Sequence, residues 1–209
     1  QEGKLPEISF EESSNKPNLT KDLAAEIGKN IIDRNPAGPT KLDEKEWLSV
    51  IEPEAIANLL IEEGLQNFNP KDFDPAIRLV DLKISPDKSA VAAEIYLRTF
   101  RDILQYDFQN AKVDLNSSDL AGIEEVVRAY SQAIKDFYQL AVPEQLVDIH
   151  KKQIGLLIGQ KKVFEALANH QKDPMKAYLA GQIFGEIVER ISFLNNSIAS
   201  FIKTNNLKI

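Results

Sequence analysis

The feature that most constrains this chain is an apolar seam near its C-terminus. Ala177, Ala180, Phe184, Ile187, Ile191, Leu194, Ile198 and Phe201 recur at alternating steps of three and four residues, which is the heptad spacing of a helix with one buried side. Gln182, Glu186, Glu189, Arg190, Asn195 and Asn196 lie between them, so the opposite side is wet. At about 1.5 Å per residue, such a helix is a rod of roughly 45 Å. An isolated rod of this kind does not hold in water, so the seam demands other long helices to cover it.

The rest of the chain supplies them. Residues 1–17 are polar and acidic without sustained periodicity, and read as a flexible lead-in or linker. Asn18 caps a helix from Leu19 to about Arg34 that buries Leu23, Ile27 and Ile31 and stops at Asn35-Pro36-Ala37-Gly38-Pro39. A second helical region is expected from Asp43, with Trp47 as the anchor of the N-terminal part, restarting at Pro53 and reaching Gly64. Val80, Leu82 and Ile84 alternate in a proline-punctuated stretch, the pattern of one short strand or of an extended segment laid across the helices. Ser85-Pro86-Asp87 then starts a helix using Ala92, Tyr96, Phe100 and Ile103. A second seam runs through Leu120, Ile123, Val127, Tyr130, Ile134, Phe137 and Ala141, and a less pure stripe through Leu146, His150, Gln153, Leu157, Gln160, Phe164 and Leu167. Asp173-Pro174 caps the final helix after a connection short enough to make the last two helices an antiparallel pair.

These signals predict an all-α fold. It is an antiparallel bundle of about four long helices, roughly 86–108, 118–141, 143–169 and 174–204, with two shorter N-terminal helices packed against it. Residues 18–209 form a single helical domain, in which 18–85 hold the N-terminal helices and extended segment and 86–209 the core bundle. The seams can complete a monomeric bundle or a dimeric one, so a homo-oligomer stays open.

The chemistry is sparse. There is no cysteine, and neither histidine, His150 or His170, follows a Glu by three residues, so the metal-binding patterns of helical bundles are missing. No metal site and no cofactor is expected. Glu62-Glu63 and Glu124-Glu125 are neighbours that point apart on a helix. With nine glycines there is no phosphate-cradling loop, dinucleotide fingerprint or nucleophile elbow. A net charge of −7 argues against a general nucleic-acid binder. The acid is concentrated in 1–141, with 26 acidic and 16 basic residues, whereas 142–209 has 6 and 9. No apolar run is long enough to span a bilayer.

One constellation is a candidate ligand site: His150, Gln153 and Gln160 on an otherwise apolar stripe. Buried polar groups need partners, so the three mark a hydrogen-bonded network, a polar ligand cavity, or a bundle edge where the Gln side chains stay half solvated. The antiparallel pairing places Gln160 opposite Phe184 and His150 opposite Leu194 and Asn195. Tyr96, Tyr130, Tyr138 and Tyr178 read as core or rim aromatics with wet hydroxyls. Gly155 and Gly159, four apart within a helix, are either tolerated glycines or a point of close approach.

Several local patterns occur together: Asn18-Leu19-Thr20 opening a helix that ends at Asn35-Pro36-Ala37-Gly38-Pro39, Val142-Pro143 followed by His150, and Asp173-Pro174 followed by Tyr178. In these the chain resembles uncharacterised helical proteins of candidate-phyla bacteria. That resemblance implies an extracytoplasmic helical domain, membrane-anchored through an N-terminal segment that would precede Gln1, and brings no catalytic residues with it. The expectation is a non-enzymatic domain acting through protein–protein contact as a scaffold or accessory part of a surface assembly. The alternative is a small-molecule sensor or carrier with a polar cavity near His150, Gln153 and Gln160.

Overall fold

The computed structural model describes residues 18–36, 40–42, 45–47, 68–114, 117 and 120–209. Helix α1 spans Leu19–Arg34. The Asn18 side chain caps it by accepting from the Lys21 amide at 2.9 Å. Leu19 and Leu23 are buried, and Ile27 and Ile31 are half-buried on the same side. The helical start expected at Asp43 is overturned: Thr40–Leu42 (β1) and Lys45–Trp47 (β2) pair antiparallel. Leu42 stands opposite Lys45 and Thr40 opposite Trp47, so cross-strand pairing prevails over the helical pattern at these residues. The expected helix over 53–64 lies outside the described residues.

The stretch from Phe68 is a lacing segment. It makes one 3₁₀ turn at Pro70–Phe73 and a second at Leu79–Asp81. Ile84–Ser85 (β3) then pairs in parallel with Val142–Pro143 (β4). The partner for the expected extended piece is thus the break between two later helices, and Val80, on the alternation, is exposed. Helix α2 covers Ala90–Phe108 and begins four residues later than Ser85-Pro86-Asp87 suggests. Ser85 is engaged in the strand pair, and the cap is Ser89, whose hydroxyl accepts from the Ala92 amide at 3.1 Å.

Helix α3, Ile123–Gln139, also starts later than its seam suggests. Leu120 and Gly122 both have positive φ, which ends any helical run before Ile123. Gly122 is required there, because a Cβ would also collide with the Lys112 carbonyl. After β4 and a single 3₁₀ turn come α4, Val147–Ala168, and α5, Pro174–Thr204. Helix α5 ends in a Schellman arrangement: Leu207 N–H donates to the Ile202 carbonyl and Asn206 N–H to that of Lys203, with Asn206 at φ 50°. This folds buried Leu207 back onto the first core cluster.

Helices dominate the described residues and the fold class is all-α. α4 packs on both α3 and α5, and α3 packs on α2. One core cluster joins α2, α3 and the first half of α4 through Tyr96, Phe100, Ile134, Phe137, Ile154 and Leu157. A second joins α1, the lacing segment, α4 and α5 through Leu19, Phe73, Val163, Ala180, Ile187 and Leu194. No described helix is long and apolar enough to cross a membrane.

Candidate functional site

α4 places His150 in its second turn, fully buried. Its ring lies 5.8 Å from those of Tyr96 on α2 and Phe137 on α3. The histidine therefore faces α2 and α3, not the Leu194 and Asn195 side expected from sequence. Tyr96 Oη is 2.8 Å from Nδ1, and Nε2 has no partner at hydrogen-bonding geometry.

Counting protons assigns the pair. If the tyrosine O–H donates to Nδ1, only the Nε2 proton is left over. The reverse leaves both an Nε2 lone pair and the hydroxyl proton unused. The first arrangement is the better satisfied, with the ring a neutral Nε2–H tautomer. Burial pushes His150 down to about 4, and the backbone of Phe137 opposes this more weakly. Burial likewise raises the Tyr96 hydroxyl, so both groups are neutral near pH 7. The pair is a polar tie within an aromatic core, and it meets an external molecule only if the helices part.

The other two candidate residues lie further along α4. Gln153 is buried and Gln160 half-buried. Seven residues separate these two, which puts them on one line of α4, and His150, three residues before Gln153, lies about 60° from that line with its ring against Tyr96 of α2 and Phe137 of α3. The sequence missed Tyr96 as the partner of His150, because residues 54 apart meet only through helix packing.

A second polar junction explains two motifs that looked merely like caps. Asp173, buried, caps α5 through the Lys176 amide, and its carboxylate also accepts from the Leu19 and Thr20 amides of α1 and from the Thr20 hydroxyl. Thr20 Oγ1 in turn accepts from the Met175 amide at 3.0 Å. One carboxylate thus satisfies the orphan donors of two helix N-termini, where negative charge is favoured by both dipoles. This is a structural clasp, and its oxygens are already engaged.

Among the described residues, an open groove of about 580 Å³ lies between the start of α4 and the second half of α5. Ile149, Phe193, Asn196, Ser200, Phe201 and Thr204 line it together with Ser197 and Asn205, and none of the three sequence candidates does. Apart from Ile149 on α4 and Phe201 at the end of the seam, these residues sit on the side of α5 that the heptad seam assigns to solvent or to its margin. The only signal available was a run from 191 to 202 without an ionisable side chain. Among the described residues no cluster of His, Asp and Glu can hold a metal ion. No protein family, curated protein or solved structure matches the chain.

Proposed function

We propose that this chain is a non-enzymatic helical interaction or scaffold domain, built as an antiparallel four-helix bundle and facing the exterior of the cell envelope. The bundle reading draws on aromatic pairs whose numbers run in opposite senses. Phe100 meets Phe137 while Phe108 meets Tyr130; Phe137 meets His150 while Tyr130 meets Phe164. The last pair of helices adds Phe164 against Phe184 and Gly159 against Ile187. The envelope location and a membrane attachment through a preceding segment draw on the family resemblance alone.

The observation that carries the interaction reading is on α2. Val91, Ile95 and Tyr106 are all well exposed and fall within about 60° of one another around the helix. Val91 and Ile95 are one turn apart and Tyr106 follows on the same side beyond exposed Arg98 and Asp102, a mixed apolar and charged face that suits a protein partner. A photocrosslinking residue placed at Tyr106 in native cells is expected to trap a partner that the same residue at exposed Lys135 does not. A protein that remains free and monomeric with both probes sinks the reading.

The sensor or carrier alternative has one observation of its own, the buried Nε2 of His150, which has only the Phe137 backbone beside it and no partner at hydrogen-bonding geometry. Native mass spectrometry of the purified chain separates the two: a co-purifying small molecule lost in His150→Ala favours the carrier.

A further inference from the structure

We propose that the groove between α4 and α5 is a binding site for a neutral saccharide. Its volume of about 580 Å³ lies within the range of ligand sites, roughly 300–1,000 Å³. The chemistry of its walls narrows the ligand. None of its lining residues is ionisable, although 27% of the chain is Asp, Glu, Lys or Arg. A phosphate, carboxylate or ammonium ligand would find no countercharge there. The groove is also open, so an apolar ligand would keep much of its surface in water.

What the groove offers is one aromatic wall, an apolar floor and a row of small neutral groups. Phe193 is 71% exposed, and Ile149 and Phe201, which line the same groove, are half-buried. Asn196, Ser200 and Thr204 make no hydrogen bond to a described residue, whereas the Ser197 hydroxyl and the Asn205 amide are turned back onto the carbonyls of Phe193 and Phe201. Amides and hydroxyls both donate and accept, as sugar hydroxyls do. A pyranose ring matches this set, because its C–H face can lie on a phenyl ring while its hydroxyl rim reaches polar neighbours. An extended peptide would want an unpaired strand edge, which two helices do not provide. The openness of the groove suits a stretch of a longer glycan.

This inference is independent of the interaction reading, since the exposed residues of α2 take no part in it. The test is NMR titration of the isotopically labelled full chain with neutral oligosaccharides, namely glucose, galactose and N-acetylglucosamine oligomers, with a uronic-acid oligomer as the charged comparison. The expected result is fast-exchange shifts centred on Phe193, Asn196 and Ser200 for a neutral oligomer, at about millimolar affinity. Phe193→Ala is expected to weaken binding about tenfold and Phe193→Trp to retain it. As the ring is mostly exposed, both variants keep the fold. The proposal is overturned if no neutral oligomer shifts these residues, if Phe193→Ala binds as well as the parent, or if the uronic-acid oligomer binds more tightly.

Discussion

Helices α4 and α5 lie side by side and teach opposite lessons about reading amphipathic sequence. α5 has the cleaner heptad seam and is the longer helix, yet four of its 31 residues are buried. α4 has the blurred stripe, interrupted by His150, Gln153 and Gln160, and eleven of its 22 residues are buried. A helix at the margin buries one side, and its sequence shows that side sharply. A helix enclosed by neighbours buries several sides, so apolar and small residues appear all round it and the stripe dissolves. α4 touches both core clusters, while the lacing segment crosses it at Gly159. It is α4, not the helix with the most regular pattern, around which the molecule is assembled.

The largest expected effect comes from truncating each helix at an apolar position. Ile154 on α4 is completely buried, so Ile154→Ala is expected to destabilise by about 2–5 kcal/mol through lost burial and the cavity left behind. Val188 on α5 is 48% exposed, and Val188→Ala is expected to stay within about 0.5 kcal/mol. Urea denaturation of the two variants measures both. Comparable losses would mean that α5 is as central as α4.

His150 sharpens the same contrast by pH. Its folded-state value of about 4 lies below the ordinary histidine value of 6.5, so between these limits the unfolded chain binds the extra proton. Stability is therefore present above about pH 6.5 and is lost as pH falls toward 4, by about 3 kcal/mol at most for this one group. Asp107 acts with the opposite sign. Burial and the charge of Asp136 raise its carboxyl, so its protonation on acidification relieves a cost. Denaturation midpoints measured from pH 7.5 to 4.5 are expected to fall in the parent and to fall distinctly less in His150→Leu. An identical slope in the variant would place the acid sensitivity elsewhere.

Much of the fold was legible because it depends on local signals. Asn18 and Asp173 were readable as caps, and α1 and α5 have the expected bounds. What local signals do not carry is which distant groups compete for the same residue. Ser85 looks like a cap until Val142-Pro143 draws it into a strand pair and Ser89 takes over. Asp173 looks like the cap of one helix and serves two, because only the folded chain brings Leu19 and Thr20 to it. The candidate site follows the same rule. His150 stood out as a polar residue on an apolar stripe, but its direction is fixed by Tyr96 and Phe137, which belong to other helices. The α4–α5 groove was not legible at all, since its residues resemble any solvated helix face until the start of α4 closes one side of it.

Glycine provides the finest test of the difference between the two helices, since the same substitution is expected to change sign. At Gly159 on α4 a Cβ would collide with the Phe73 carbonyl oxygen of the lacing segment, a backbone atom with little room to retreat, and would crowd Ile187. Gly159→Ala is expected to cost about 1–3 kcal/mol, as overpacking does. Gly181 on α5 has nothing within 4 Å of a built Cβ, so the fold gives no steric reason for glycine there. Gly181→Ala should stabilise by about 0.5–1 kcal/mol, because it restricts the unfolded chain and adds helix propensity without meeting a neighbour. Thermal denaturation reads both shifts. A loss at Gly181 matching that at Gly159 would mean that another backbone packs closely on the outer face of α5 in solution. The outward side of this helix would then be an interface, and the margin of the molecule would lie beyond it.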